Sequence, residues 1–436
     1  MITSFSIKNF KSYKEAEMPL ANLTFFIGAN ASGKSNALEA IRLLSWLAKG
    51  SRLDDIGRSN NRADSLLRGQ PANLFRNPET GFEIGCNLNG IEGNWNQLSI
   101  EISQTSDNLI ITSESVSKNS ESLPLYSIDG KPNPHTDEIS VMYNNFKKGG
   151  NKPHIPCSDR QAIFYQLETP ARFHKNHKDS QRIIPLVVKG IREALRNVVF
   201  LEPRPEVMRD YSYAKDDELM EDGRNLSSVL YKIWEGKDEA KGQMLEFVRS
   251  LPEQDIKDIR FIVTGRNDVM VRLVESFGNQ EREVDAPMLS DGTLRVLAVG
   301  ATLLSAPRGS LVVIEEIDNG VHPSRAESLI RQIIKISKTR KLRVLLTSHN
   351  PALLDALPDE SLGDVLCCYR DPEEGDSRIV RLGDLDRYPE LVAQGPLGQL
   401  MTKRVLDRFI KDKSKPEERQ KSALSWLDEF KKGVSE

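Results

Sequence analysis

One stretch near the start of the chain has the residue types and the spacing that phosphate binding requires. The apolar run 23–27 leads into "GANASGKSN", where Gly28, four further residues and then Gly33, Lys34 and Ser35 match the phosphate-binding loop, or P-loop, pattern. In such a loop, backbone N–H groups point at the phosphate, the following helix adds its positive end and the lysine adds a mobile charge. The sequence therefore predicts a strand, a P-loop and a helix that bind nucleotide phosphates.

Two asparagines and one serine extend this candidate site. Asn30 lies within the loop and Asn36 directly follows Ser35, so both are candidates for nucleotide contact. The Ser35 hydroxyl can also ligate Mg²⁺, which accompanies nucleotides in P-loop proteins. The alternative, a glycine-rich turn that binds nothing, is disfavoured by the strand–loop–helix context.

A second stretch, "LVVIEEIDNGVHP", runs from four aliphatic residues into Glu315 and Glu316. A strand that is apolar on both faces belongs inside a covered sheet, and carboxylates at its end are costly without a cation. In P-loop enzymes such an acidic residue holds Mg²⁺ at the nucleotide. We therefore expect Glu315 beside Mg²⁺, directly or through water, and Glu316 to activate the attacking water. An exposed acidic strand end is the alternative.

Two further segments end or begin in polar residues. "LRVLLTSHNP" predicts a strand that ends near His349, and a neutral histidine can hydrogen-bond the γ-phosphate or the attacking water. We therefore count His349 with Lys34 and Glu316 as catalytic candidates. "APMLSDGTLRVLAVGATLL" predicts an apolar helix with Ser290 as N-cap and Gly292 in its first turn, which is a second potential anion site.

The composition bounds the elements that must position these residues. The chain has 436 residues, 38% of them hydrophobic and 28% charged, with a net charge of −3, which suits a soluble protein of two or three lobes. No apolar stretch reaches membrane-spanning length and no signal core opens the chain, so we expect a cytoplasmic protein with no membrane contact. The four cysteines show no metal-ligand spacing.

The remaining regions predict further elements. Residues 82–127 read as four short strands, and 129–177 as an irregular insertion, which is basic through Lys147, Lys148, Arg172, Lys175 and the adjoining Lys178. This insertion is either a nucleic-acid or partner contact or, as the simpler alternative, a solvated loop. Two helices and two strands follow residue 225. Two strands and a helical cap follow His349, and 421–432 predicts a helix with Ala423, Trp426, Leu427 and Phe430 on one face.

These patterns divide the chain into four predicted regions. Residues 1–128 form an ATPase lobe with the P-loop and a β arm, and 129–195 form the basic insertion. Residues 196–355 form a helical lobe that carries the Ser290, Glu315 and His349 motifs. Residues 356–436 form a sheet extension and helical cap.

The order of the motifs, from the P-loop through "LSDGT" and "VVIEEIDNGVHP" to "TSHNP", resembles the ABC-type ATPases of the SMC and RecF kind. It is most similar to the RecF- and OLD-like AAA ATPases of bacterial operons, whose usual opening the first 36 residues also resemble. The resemblance implies an α/β P-loop NTPase of the ABC/SMC-head type, with a mixed central sheet, flanking helices and an antiparallel β arm. It implies ATP and Mg²⁺ as cofactors. No long heptad run appears, and the C-terminal tail shows no nuclease constellation.

The resemblance also implies roles for single residues. Ser290 and Gly292 resemble the signature motif, which contacts the γ-phosphate held by a second subunit. Asp318 and Asn319 correspond to the D-loop and His349 to the switch histidine. The chain departs from the family in having Glu315 where aspartate is common and Ile317-Asp318 where Pro-Glu is common, which puts direct metal ligation in doubt. The Gln loop stays unassigned.

The resemblance therefore predicts a homodimer with two ATP molecules between its subunits, and it leaves a higher oligomer open. The first functional hypothesis is an ATP-hydrolysing switch that controls a separate effector, a nuclease or toxin, in bacterial antiphage defence or toxin control. The alternative is a RecF-like ATPase that binds DNA in repair or DNA clamping. A transporter ATPase and a small-molecule kinase fit the motifs less well.

Overall fold

The computed structural model describes residues 1–56, 67–105, 108–131, 136–249, 255–278, 280–318 and 323–412. Two features predicted from the sequence, Asn319 of the D-loop and the amphipathic helix at 421–432, lie outside these ranges. None of the helices within them is both long enough and apolar enough to cross a membrane.

A mixed sheet of six strands, in the order β10-β15-β16-β3-β17-β18, carries the predicted motifs. Strands are numbered along the chain, and those of this central sheet are β3 (Leu23–Gly28), β10 (Val199–Leu201), β15 (Leu311–Ile314), β16 (Arg343–Thr347), β17 (Leu366–Arg370) and β18 (Ser377–Arg381). The first five strands in that order run parallel, and β18 pairs antiparallel with β17. The carboxyl ends of β3, β15, β16 and β17 therefore meet at one edge of the sheet.

Both faces of the central sheet are covered, which explains its continuous apolar strands. Phe26 and Val313 belong to the core on one face, while Phe25, Val312 and Ile314 belong to the core on the other. All four residues of β15 are buried. Because neither face of β15 meets water, the strand has no polar alternation.

An eight-stranded antiparallel sheet in the order β2-β1-β4-β5-β6-β7-β8-β9 flanks the first core. Its strands are β1 (Ile2–Phe10), β2 (Tyr13–Pro19), β4 (Phe82–Leu88), β5 (Gln97–Gln104), β6 (Leu109–Lys118), β7 (Glu121–Ile128), β8 (Glu138–Tyr143) and β9 (His154–Ser158). The four strands predicted between residues 82 and 127 are present as β4 to β7. This sheet is the predicted antiparallel arm, extended by the two N-terminal strands.

The prediction of an irregular insertion at 129–195 was wrong for most of its length. Strands β8 and β9 continue the antiparallel sheet, and a helix covers Lys178–Arg196. Ile139, Val141 and Tyr143 alternate as buried residues of β8. The polar residues around this short run hid the alternation, and pairing with β7 supplies the ordering that local sequence lacks. A boundary at residue 128 therefore cuts through a continuous sheet.

A third sheet packs beside the second core, with β11 (Ser212–Tyr213), β13 (Asp268–Phe277) and β12 (Asp255–Val263) in that order and β14 (Gln280–Asp285) paired to β13. The two strands predicted before Ser290 are β12 and β13, whereas β14 was not predicted. The charged sequence of β14, "QEREVD", leaves only Val284 buried, so its pattern gave little strand signal.

The helices surround these sheets. They are α1 (Lys34–Ala48), α2 (Ile163–Gln166), α3 (Lys178–Arg196), α4 (Pro205–Met208), α5 (Leu226–Glu235), α6 (Asp238–Arg249), α7 (Asp291–Ser305), α8 (Ala326–Arg340), α9 (Pro351–Asp355), α10 (Asp359–Leu362), α11 (Tyr388–Ala393), α12 (Leu397–Thr402) and α13 (Val405–Lys411). The two helices predicted after residue 225 are α5 and α6. The predicted helical cap consists of the short helices α11 to α13. The mixed central sheet, its flanking helices and the antiparallel arm confirm the predicted fold class.

Candidate functional site

A cavity of about 330 Å³ opens at the carboxyl edge of the central sheet, where β3, β15 and β16 end side by side. The predicted site residues that line it are Asn30, Gly33, Lys34, Ser35, Asn36, Glu315, Glu316 and His349. Three stretches far apart in sequence thus meet in one place. The parallel order of the strands accounts for this, because it brings their carboxyl ends together.

The Lys34 side chain folds back over the loop that precedes it. Its ammonium donates to the carbonyl oxygens of Gly28 at 2.6 Å and Ala29 at 3.1 Å. Burial lowers the pKa of Lys34, while the nearby carboxylates of Glu316 and Asp318 act in the opposite direction. Gly28, also predicted to bind nucleotide, does not line the cavity, and its carbonyl group accepts this bond from Lys34. The loop thus holds a partly buried positive charge beside two carboxylates.

Side chains from β2 and β18 hold the P-loop backbone. The Tyr13 hydroxyl donates to the Gly33 carbonyl at 3.0 Å, and the Ser377 hydroxyl donates to the Ser32 carbonyl at 2.5 Å. Gly33 has φ of +120°, and a Cβ there would overlap the Ser377 hydroxyl. At Gly28 a Cβ would overlap the carbonyl oxygen of Cys368. The two glycines are therefore required by the close packing of the β17–β18 hairpin against the loop.

The turn between β1 and β2 holds the helix that follows the P-loop. The Asn36 amide donates to the Ser12 hydroxyl at 2.7 Å, and the Lys11 ammonium pairs with the buried carboxylate of Glu39. Asn36 was predicted as a nucleotide contact and does line the cavity, but its amide has a protein partner. These contacts fix α1 relative to the antiparallel sheet.

Glu315 is engaged by a cation from within the protein. Its Oε1 accepts a hydrogen bond of 2.5 Å from Nη2 of Arg42, a residue of α1. Only 12% of the Glu315 side chain is exposed, and burial raises the pKa of its carboxyl group, a shift that Arg42 opposes. The cation that a buried carboxylate requires is therefore present as a guanidinium. Glu315 also lines the cavity.

Glu316 sits in a tight turn directly after β15. Its backbone has φ of +49°, and its N–H donates to the Thr347 hydroxyl at 2.9 Å. The next N–H, that of Ile317, donates to the Thr347 carbonyl at 3.2 Å. Thr347 closes β16, so the ends of the two strands are joined at the cavity. This turn directs the chain so that consecutive carboxylates, Glu315 and Glu316, both reach the cavity wall.

His349 follows β16 and lines the same cavity. Its backbone N–H donates to the Asp318 carboxylate at 3.3 Å, which ties the histidine segment to the chain after Glu316. Burial lowers the pKa of His349 and the Lys34 ammonium lowers it further, while Asp318 and Glu316 act in the opposite direction; the net shift favours the neutral imidazole at pH 7. A neutral imidazole can donate or accept one hydrogen bond at each nitrogen.

Ser290 and Gly292 do not line this cavity. Ser290 is the N-cap of α7, as predicted, and its hydroxyl accepts from the Thr293 N–H at 3.1 Å. Arg209 braces the approach to the helix by donating to the Leu289 carbonyl at 2.6 Å and by pairing with Asp291. One chain thus presents the start of α7 apart from its own P-loop.

Two arginines that were not predicted from the sequence belong to the candidate site. Arg370, at the end of β17, and Arg68 both line the cavity, and Nε of Arg370 donates to the Ala31 carbonyl at 3.1 Å. The sequence predicted the β17 strand but not its place beside β3. The sequence signal for Arg370 was a basic residue at the end of a predicted strand. Such a residue points to the candidate site only when the order of the strands in the sheet is known. Among the described residues no glutamine lines the cavity, so the Gln loop stays unassigned.

Three stretches of similarity to named proteins accompany this geometry. The chain is 49% identical over 45 residues to "DNA replication and repair protein RecF" of Chlamydia abortus, covering 10% of this chain and 12% of that protein. It is 35% identical over 82 residues to the RecF protein of Leptospira interrogans, covering 18% and 22%. It thus spans less than a quarter of either RecF protein. It is 22% identical over 363 residues to an "ATP/GTP phosphatase" of Helicobacter pylori, covering 82% and 87%.

Two solved SMC heads are among the similar structures. One is the SMC head bound to the C-winged helix domain of ScpA, with a TM-score of 0.48 and 14% identity, covering 87% of this chain and 97% of that one. The other is the SMC head domain from Thermotoga maritima, with a TM-score of 0.38 and 13% identity, covering 87% and 98%.

The family comparison spans all four motifs of the candidate site. The matched residues, 23–355, include the P-loop, Ser290, the Glu315–Glu316 pair and His349. The resemblance inferred from the order of these motifs is thereby confirmed. The chain belongs to the family described as "AAA domain, putative AbiEii toxin, Type IV TA system".

Proposed function

We propose that this chain is a Mg²⁺-dependent ATPase that works as a molecular switch. The observation that carries the proposal is the meeting of Lys34, Glu316 and His349 around one cavity, at the ends of three adjacent strands. A P-loop lysine, a candidate general base and a neutral histidine at one site are the groups that phosphoryl transfer to water requires. The family, which is of AAA domains, supports the same reading.

The side chains at the cavity fit a nucleotide with its metal ion. The Ser35 hydroxyl and the Glu315 carboxylate supply the oxygen ligands that Mg²⁺ prefers, so these two residues would hold it. When bound, Mg²⁺ neutralises charge on the phosphates. Glu315 also accepts a hydrogen bond from Arg42, and its side chain is one methylene longer than the aspartate common in the family. Ligation of Mg²⁺ through a water fits this arrangement as well as direct ligation does.

Each catalytic candidate has a separate role. Lys34 holds positive charge where the terminal phosphates bind, Glu316 accepts the proton of the attacking water, and His349 hydrogen-bonds the γ-phosphate or that water. The bond between Glu316 N–H and Thr347, together with that between His349 N–H and Asp318, orients the two segments toward the cavity. Preorganised groups of this kind need little rearrangement during reaction.

We infer that a second copy of the chain completes the site. Ser290 and Gly292 lie apart from the P-loop cavity of their own chain, and Met288, two residues before Ser290, is 71% accessible. Exposed methionine side chains are typical of protein interfaces. A two-fold dimer would place the start of α7 from each subunit over the ATP of the other.

The proposed output is control of a separate effector protein. The family description names toxin–antitoxin systems, which supports a role in bacterial toxin control or antiphage defence. ATP binding would favour the closed dimer, and hydrolysis would release it. The effector would then respond to the nucleotide state through the change between the dimer and the separate chains.

Glu316→Gln tests this proposal. The variant should bind ATP, hydrolyse it at least about a hundredfold more slowly because the general base is lost, and double its mass in ATP by light scattering. Lys34→Ala is the control that should neither hydrolyse ATP nor dimerise. Hydrolysis at the wild-type rate by Glu316→Gln would refute the site assignment. An ATP-bound variant that remains monomeric would refute the sandwich.

The second candidate function is a DNA-dependent ATPase, which the two RecF matches favour. The exposed ammonium groups of Lys147, Lys148, Lys175 and Lys178 offer phosphate contacts, whereas Arg172 donates to the Pro156 carbonyl within the chain. ATP turnover should then rise with duplex DNA, and that rise should disappear at roughly 0.2 M salt because phosphate contacts weaken steeply with salt. Turnover that ignores DNA supports the protein-controlled switch.

A further inference from the structure

Arg42 joins the candidate metal-binding carboxylate to a second region of the surface. It lies on α1, eight residues and about two helical turns beyond Lys34. One edge of its guanidinium donates to Glu315 at 2.5 Å and the other edge pairs with Glu221. The guanidinium carbon lies 4.4 Å from the centre of the Phe200 ring. With 14% of its side chain exposed, Arg42 is held on three sides.

The two carboxylates that share Arg42 line different cavities. Glu315 lines the P-loop cavity, whereas Glu221 and Phe200 line a separate groove of about 1000 Å³. This groove lies between the end of α3, strand β10 and the end of α7. Arg42 is therefore a direct, charged connection between the candidate nucleotide site and the groove.

The carboxylates around Arg42 outnumber the positive charge that it brings. One oxygen from each of Glu202, Glu221 and Glu315 lies within 4.8 Å of the others. Backbone bonds hold them there, because the Glu202 N–H donates to the Glu221 carbonyl and the Glu315 N–H to the Leu201 carbonyl, each at 2.8 Å. Since the carboxylates repel one another, the division of the guanidinium between Glu221 and Glu315 sets how strongly Glu315 is neutralised.

We propose that Arg42 is a positioning residue that competes with the divalent cation for Glu315, and that Glu221 sets the strength of this competition from the groove. The inference rests on the proposed nucleotide and Mg²⁺ site. While Glu221 holds one edge of the guanidinium, Glu315 keeps a single hydrogen bond to Arg42 and remains available to a cation. When Glu221 is replaced by a residue without charge, both edges can turn to Glu315 in a bidentate pair, and cation binding weakens.

The test is the metal dependence of nucleotide binding, measured without turnover. Calorimetry gives the dissociation constant of the non-hydrolysable analogue AMP-PNP, once with Mn²⁺ and once with EDTA. The dissociation constant in EDTA divided by that in Mn²⁺ is the ratio that measures the contribution of the metal to binding. Glu221→Gln should reduce this ratio about tenfold, the effect of one charged hydrogen bond, and leave binding in EDTA unchanged. Glu202→Gln is the matched control. It removes the same charge from the same cluster without removing a partner of Arg42, and should reduce the ratio much less.

A second variant makes the role of Arg42 explicit. In an Arg42→Met background, Glu221→Gln should have no further effect on the ratio, because the residue through which it acts is absent. Equal effects of Glu221→Gln and Glu202→Gln would overturn the inference, and this comparison does not depend on whether Arg42→Met folds. Wild-type protein that fails to bind AMP-PNP in either medium would overturn the proposed function and the inference with it.

Discussion

The guanidinium of Arg370 reaches the P-loop from a strand that follows it by more than 330 residues. Its Nε donates to the carbonyl of Ala31, which has φ of +61°, and its Nη1 donates to the Gly375 carbonyl at 2.7 Å. It therefore supports the loop and adds a positive charge to the cavity wall. Arg370 lies beyond residues 23–355, which match the family.

Arg370→Gln should raise the KM for ATP about tenfold, the loss expected for one charged hydrogen bond, with a smaller effect on kcat. Steady-state turnover over a range of ATP concentrations measures both. Arg378→Gln is a matched control from β18, because Arg378 donates to Glu374 at 2.8 Å and does not line the cavity. If the two variants raise KM equally, the change comes from the stability of the hairpin.

Residues of the candidate site differ in how far sequence alone could identify them. Lys34 and Ser35 carry a contiguous motif, and Glu315 and His349 each end an apolar strand, so local pattern was sufficient. The place of Arg370 at the site depends on which strands are neighbours, and the Arg42–Glu221 contact depends on how α1 packs. No local sequence pattern encodes either arrangement. The signature segment was found as a capped helix, and its separation from the P-loop was implied by the family resemblance and by no local pattern.

At the scale of elements, the buried carboxylate of Glu114 joins β6 to the helix α2. It accepts hydrogen bonds of 2.7 Å from the N–H groups of Ile163 and Phe164 and from the Tyr126 hydroxyl. Burial, partly offset by these bonds, raises the pKa of Glu114 from its ordinary 4.5 to about 7. The carboxyl group of Glu114 therefore titrates near neutrality because it is buried.

The folded-state pKa of Glu114 lies above its unfolded value, so the folded protein binds this proton more tightly. The stability linked to that proton is complete below pH 4.5 and is lost as pH rises through about 7, a change of about 3 kcal/mol. Glu114→Gln should remove this part of the pH slope because an amide does not titrate, and its cost in stability should be larger at low pH than at high pH. Urea unfolding at about pH 5 and about pH 8 measures it.

A control for this slope is Glu83→Gln, which alters a partly exposed carboxylate on β4 of the same sheet that accepts from the Ser99 hydroxyl at 2.8 Å. This variant should keep the wild-type dependence on pH. A slope that persists in Glu114→Gln would assign the titration to other groups.

The elements themselves followed from sequence where their periodicity was strong. Strands β3, β15 and β16 and helix α7 were all predicted, because buried apolar runs and a serine cap are local signals. Strands β8 and β14 were missed because their partners, β7 and β13, supply the order that their polar sequences do not.

At the scale of the whole molecule, the separation of Ser290 from the P-loop cavity predicts that a working site needs two chains. Lys34→Ala and Ser290→Arg should each be inactive alone, the first for lack of the lysine and the second because a large cation blocks the partner's site. Mixing them in equal amounts should restore turnover well above the sum of the two separate variants, because a dimer of unlike chains holds one intact site, made of the Lys34 of one chain and the Ser290 of the other.

ATP turnover of the mixture, compared with the sum of the separate variants, measures this complementation. An additive result in which Ser290→Arg alone is active would show that each chain hydrolyses ATP by itself. Ser290→Ala is the milder companion, which removes the cap while leaving room for a partner's nucleotide, and should retain more activity than Ser290→Arg.

The hydrogen bonds from β17 and β18 to the P-loop decide when, during translation, the nucleotide site can form. Ser377 bonds Ser32 across 345 positions of sequence and Ser12 across 365, and β3 lies between β16 and β17. During synthesis the P-loop motif leaves the ribosome long before either flanking strand exists. A nascent chain that has not reached Leu366 therefore carries the complete motif without the hairpin that shapes it, and nucleotide binding should begin only after β17 and β18 have been synthesised.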